Sequence, residues 1–165
     1  SGNAVIFKGD SSYRFRRGKL LRAEKGANDL TFLLGGMYFY SYEIACSKMK
    51  ELGYDLQKSF TTLWKGEPVY VIGASADNEK VNQIWVDKEK LVIVRLVKYD
   101  DRRKEEGIFE KHLKLGDSYT ETKVTFYFDD KLAQIEYYFN CTANPLLDDR
   151  LFEPTKFGEW HWYKK

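Results

Sequence analysis

Few residues in the chain have the type and spacing for covalent or metal chemistry. His112 and His161 are far apart, and no His-x-x-x-His or Cys-x-x-Cys spacing is present to hold zinc. The chain has no Gly-x-Ser-x-Gly elbow, no Gly-x-x-x-x-Gly-Lys phosphate cradle and no dinucleotide fingerprint. Three acidic pairs, Asp100-Asp101, Asp129-Asp130 and Asp148-Asp149, fall where turns are expected. Adjacent strand residues point to opposite faces, so such pairs solvate turns rather than converge as general acid and base. The reading is of a protein that is not an enzyme and uses no cofactor or metal. Asn140-Cys141-Thr142 is a formal glycosylation sequon at a strand end and carries no weight.

What remains is aromatic and apolar. The 165 residues include 12 Tyr, 11 Phe and 4 Trp, enough to line a core, a cavity or a docking surface. With 27 Lys and Arg against 25 Asp and Glu, the net charge of +2 is too small to suggest a nucleic-acid partner. No run approaches the roughly 18 apolar residues of a transmembrane helix. Cys46 and Cys141 cannot build a disulfide framework; they read as two thiols, with a single long-range bridge as the alternative. The opening Ser-Gly-Asn-Ala-Val has neither a start methionine nor a signal peptide and reads as the start of a mature chain.

These residues must be positioned by strands. Val5–Phe7, Tyr13–Phe15 and Leu20–Ala23 are separated by turn chemistry, with Arg14, Arg16, Arg17, Lys19 and Arg22 as solvated edge charge. Asn28 or Asp29 caps a short helical turn through Leu34. Tyr42, Ala45, Cys46, Met49 and Leu52 recur at helical spacing before Gly53, which predicts an amphipathic helix packed along one stripe. Beyond Asp55 the period becomes two. Strands are expected at Phe60–Trp64, Val69–Ala74, Asn82–Val86, Leu91–Tyr99, Phe109–Leu115, Tyr119–Phe128 and Leu132–Cys141, joined as an antiparallel meander. Tyr119–Phe128 and Leu132–Cys141 each read as half buried, the latter on Ala133, Ile135, Tyr137 and Phe139. Leu91–Val97 is apolar on both faces and needs cover on each; the helix Tyr42–Leu52 is the candidate for one side.

Two stretches carry a family resemblance. The first is Thr62-Leu63-Trp64-Lys65-Gly66-Glu67-Pro68-Val69-Tyr70-Val71-Ile72-Gly73, followed by Gln83-Ile84-Trp85-Val86-Asp87-Lys88-Glu89-Lys90 and a strand running to Arg95. The second is the tail from Asn144-Pro145 through Asp148-Asp149-Arg150-Leu151-Phe152-Glu153-Pro154 to Phe157 and His161-Trp162. Together they resemble the outer-membrane lipoprotein-sorting proteins of Gram-negative bacteria, the LolA/LolB-like superfamily, over roughly residues 40–163. The resemblance implies a mainly β (α+β) fold: an unclosed antiparallel β-barrel or strongly curved sheet, with one or two helices over its open or concave side. It implies a single domain over residues 1–165 that lacks the family's long first helix and first strands. It also implies a periplasmic carrier that binds lipid or lipoprotein acyl chains, with a place at the outer membrane and an envelope protein as handover partner.

Burial alone would drive such binding, at about 0.8 kcal/mol per methylene. Alternating strand faces nominate Trp64, Tyr70, Ile72, Trp85, Ile93, Val124, Phe126, Tyr137 and Phe139 as the lining. The alternative is a non-catalytic envelope module that docks a protein or polysaccharide on an aromatic surface drawn from Tyr38, Tyr40, Trp160, Trp162 and Tyr163.

Overall fold

The computed structural model describes residues 2–25, 29–78, 80–100, 103–143 and 146–159. The chain divides into two compact units, residues 1–40 with 144–165, and residues 41–143. Among the described residues the fold is mainly β and antiparallel, with sheets that do not close into a barrel, accompanied by two α-helices.

In the first unit, β1 (Ala4–Lys8), β2 (Ser11–Arg16) and β3 (Lys19–Lys25) form a three-stranded meander in that order. Arg17 (φ 52°) and Gly18 (φ 77°) are both left-handed, the two-residue turn that matches the twist of a hairpin. One face of the sheet is apolar: Ala4 and Ile6 stand opposite Phe15 and Tyr13. Ile6 and Phe15 are buried, and Phe15 stacks on Phe157 with ring centroids 4.1 Å apart. A five-residue helix α1 (Asp29–Leu33) buries Leu33, and short 3-10 turns follow at Gly36–Phe39, Asp149–Phe152 and Pro154–Lys156. The Asn28 alternative for the α1 cap lies outside the described residues.

The second unit opens with α2 (Tyr42–Glu51). The Ser41 side chain accepts from the Ile44 N–H, and Gly53 (φ 86°) follows as the left-handed terminator expected from sequence. None of its residues is fully buried. Ala45, Cys46 and Met49 are half-buried, whereas Tyr42, the first residue of the expected stripe, is 79% exposed. The helix is held at its C-terminal end, where Asn82 donates to Leu52 O (3.2 Å) and accepts from Tyr99 N (2.7 Å).

Seven strands follow as one open antiparallel sheet. They are β4 (Ser59–Trp64), β5 (Glu67–Ile72), β6 (Gln83–Asp87), β7 (Ile93–Tyr99), β8 (Lys104–Glu110), β11 (Lys123–Phe128) and β12 (Lys131–Tyr137), each beside its neighbour in that order. A side hairpin, β9 (Leu113–Leu115) with β10 (Ser118–Thr120), sits between β8 and β11 in sequence. The sheet's register places one extra residue in β7 (Val94) and one in β12 (Ala133), bulges that bend the strands. Val69, Val71, Ala74 and Val94 form a buried cluster against which Phe60, Trp64, Val81, Trp85 and Val92 pack.

Three strand expectations need correction. Phe109–Leu115 is not one strand: β8 starts earlier, at Lys104, and ends at Glu110, because Lys111 (φ 55°) turns the chain. Tyr119–Phe128 is likewise split around Thr122, whose hydroxyl donates to Lys111 O (2.7 Å). Leu132–Cys141 ends as a strand at Tyr137 and is an exposed edge rather than half buried. Its register explains why. Val124 stands opposite Glu136 and Thr125 opposite Ile135, so the apolar stripes of β11 and β12 lie on opposite faces of the sheet.

Candidate functional site

Ala4-Val5-Ile6-Phe7 is an unbroken apolar run, and in β1 it forms the outer strand of the small sheet. A strand presents alternate side chains to its two faces, so four apolar residues in succession make the strand greasy on both. A cavity of about 650 Å³ opens along it, within the first unit. Its walls are the four β1 residues together with Leu151, Phe152 and Phe157 from the C-terminal turns; Gly2, Gly18, Thr31 and Gly158 complete the lining. Among the described residues of these walls, Lys156 is the charged one.

The tail is held by particular local contacts. Asp148 caps the first C-terminal turn by accepting from Arg150 N, and its carboxylate is pulled down to about 2, first by the Arg150 side-chain hydrogen bond. Pro154 starts the next turn, and Phe157 then reaches Phe15. Lys8 at the end of β1 pairs with Glu153, fastening the sheet to the same turns and lowering the Glu153 pKa. Lys156 makes a long pair with Glu159 at 3.5 Å.

The nine residues nominated from alternation do not line one wall. Register puts Trp64, Trp85 and Tyr137 on the face of the seven-stranded sheet that carries Val69, Val71 and Thr125. Tyr70, Ile72, Ile93, Val124 and Phe126 lie on the opposite face, with Ile84, Leu96 and Phe109. Phe139 lies beyond β12 and is 79% exposed. Val124 is fully buried core, and Trp64 and Trp85 pack against the valine cluster.

The Trp face has its own polar arrangement. Trp64 and Trp85 meet edge to face at 5.3 Å, and the Arg95 guanidinium lies 4.9 and 4.7 Å from their ring centres. Arg95 Nε donates to Glu106 at 2.5 Å, and Trp85 Nε1 donates to Gln83 at 2.9 Å. Farther along the same face, Glu110 accepts from Lys123 and Lys65, which lower its pKa. Cations and carboxylates are matched here, and this sheet face is a satisfied polar layer over the valine core rather than an oily trough.

Other chemistry-bearing residues stay apart. His112 is half-buried with Nε2 lacking a partner, and burial holds its pKa below the ordinary value. Cys46 and Cys141 are unpaired thiols, each half-buried. Among the described residues no group of three or more His, Cys, Asp or Glu is placed to hold a metal, and no helix is long and apolar enough to cross a membrane. His161, Trp160, Trp162 and Tyr163 lie outside the described residues.

Alternation did not find the β1 cavity, because a run that is apolar at every position has no period. The available signals were the run itself and the apolar residues Leu151, Phe152 and Phe157 scattered through a charged tail. Comparison with family models, with curated proteins and with solved structures finds no match to this chain.

Proposed function

We propose that the protein is a non-catalytic binding and carrier protein for an apolar ligand of the acyl-chain type, acting in the bacterial cell envelope as the resemblance to lipoprotein-sorting proteins implies. The observation that carries this reading is the apolar cavity of about 650 Å³ along β1. Its volume falls within the roughly 300–1,000 Å³ of small-molecule sites, and its walls are mostly apolar. An open mainly β fold with two helices agrees with the same reading.

The test uses the delipidated protein and N-phenyl-1-naphthylamine, a neutral probe that brightens in apolar surroundings. Saturable one-to-one binding is expected, and Ala4→Phe or Val5→Trp, which place a ring in the cavity, should weaken it at least fivefold. Absence of binding, or binding indifferent to both substitutions, would overturn the reading.

A second reading, a module that docks an envelope protein or polysaccharide, draws on one observation in the first unit. Tyr38 and Phe39, in the turn after α1, are 72% and 90% exposed. It predicts co-sedimentation with purified envelope polysaccharide that is lost in the Tyr38→Ser/Phe39→Ser double variant.

A further inference from the structure

The two units differ in charge. Residues 1–40 and 144–165 carry 11 Lys and Arg against 7 Asp and Glu, whereas residues 41–143 carry 16 against 18. The apolar cavity therefore sits in the cationic unit of a nearly neutral chain, and the positive charge is not evenly spread around it. Gly18, part of the lining, is the tip of the β2–β3 turn and is flanked by Arg16, Arg17 and Lys19. That turn is fixed against the strand leading into β1: Gly18 N donates to Gly2 O (2.7 Å) and Arg17 N to Asn3 Oδ1 (2.9 Å). Arg16, Arg17 and Lys19 are all exposed. Lys156, another cation, is itself a lining residue.

Two of the carboxylates in the C-terminal turns that wall the cavity are engaged. Glu153 pairs with Lys8, and Asp148 is bound by Arg150. Glu159 reaches Lys156 only at 3.5 Å, and both side chains are about half exposed, a pair that a better acceptor can displace.

We propose that the ligand is a long-chain carboxylate, its single acyl chain lying along the apolar wall of β1 and its head group held by Lys156 and the Arg16–Lys19 turn. This rests on the apolar-ligand reading above and adds the charge and the chain number. A greasy wall bordered by cations fits an anionic amphiphile, since a charge-assisted bond to the head fixes orientation while the chain supplies burial. The volume accommodates one chain. Taking a methylene as comparable to a water molecule's share of the liquid, about 30 Å³, one 16-carbon chain needs roughly 480 Å³ and two 14-carbon chains roughly 840 Å³. A single 16-carbon chain fits within the 650 Å³ of the cavity.

The experiment displaces N-phenyl-1-naphthylamine with three 12-carbon competitors: dodecanoate, 1-dodecanol and dodecyltrimethylammonium. Dodecanoate is expected to bind about tenfold more tightly than dodecanol, with the cation weakest, as one charge-assisted bond in partly open surroundings allows. Lys156→Gln should collapse the dodecanoate-to-dodecanol ratio toward one, and Glu159→Gln, which frees Lys156, should widen it. Equal affinity for the three head groups, or a ratio that survives in Lys156→Gln, would overturn this proposal while leaving the apolar-ligand reading intact. Failure of the neutral probe itself to bind would overturn both. Extraction of dimyristoylphosphatidylglycerol from vesicles in preference to dodecanoate would overturn the single-chain assignment.

Discussion

Removing Arg95 tests how the Trp face of the large sheet is held together. Arg95 and Glu106 are diagonal neighbours: Arg95 stands opposite Ile108 in β8, and Glu106 opposite Val97 in β7. Their side chains are 18% and 11% exposed, so this pair is shielded far better than a surface ion pair. At a separation near 4 Å the attraction is about 4 kcal/mol for an effective dielectric of 20, and desolvation of both ions returns much of it. Two Trp rings within 5 Å of the guanidinium add about 0.5–1 kcal/mol each. Arg95→Met should therefore cost about 2–3 kcal/mol, moderated because Glu106 keeps Lys104 at 3.4 Å. Glu106→Leu should cost about 2 kcal/mol, since Arg95 is left with the rings alone. The double variant puts two apolar side chains beside Trp64, Trp85 and Ile108, and should fall short of the summed singles by about 1.5 kcal/mol. Urea unfolding followed by Trp fluorescence measures all four proteins, with unchanged m-values as the condition for comparison. Costs that add to within about 0.5 kcal/mol would mean that the two residues do not face one another. The β7–β8 register, and every face assignment built on it, would then be wrong.

Two further predictions concern the same unit. His112 is held below its ordinary pKa by burial, so the unfolded chain binds its proton more readily. Stability should accordingly fall as pH drops through about 6.5, and His112→Gln should flatten the change in urea midpoint between pH 7.5 and 5.5; an equal slope in the variant would exclude this residue as the cause. Gly73 has φ 100° and a Cβ there would stand 2.3 Å from Asn82 O, so Gly73→Ala should lower stability by about 2 kcal/mol or more, read as a loss of several degrees in Tm.

Most of the fold was legible because its signals are local. Lys65-Gly66-Glu67 predicts the β4–β5 hairpin and Asp129-Asp130-Lys131 the β11–β12 hairpin; Lys65, Gly66, Asp129 and Asp130 have positive φ, while Glu67 and Lys131 already open the next strands. Gly53 ends α2 as expected from sequence, whereas the Ser41 cap at its start was not read there. What sequence could not show is register. Alternation says which residues of a strand share a side, but not which side faces its neighbour's apolar stripe, and so the nine nominated residues scatter over two faces. The Lys104–Ile108 part of β8 was also missed, because its charged residues Lys104 and Glu106 show no partner in sequence until Arg95 and Asp130 are seen to meet them. The cavity itself needs residues near both ends of the chain, Ala4–Phe7 and Leu151–Phe157, and separation of that kind leaves no periodic trace.

The central claim, that the β1 cavity accepts an acyl chain, is tested most directly by isotope-edited NMR on methyl-labelled protein with bound dodecanoate. The account predicts nuclear Overhauser contacts from the chain methylenes to the methyl groups of Val5, Ile6 and Leu151. Contacts instead to Ile72, Ile93 or Val124 of the large sheet, or none to any labelled methyl group, would contradict it.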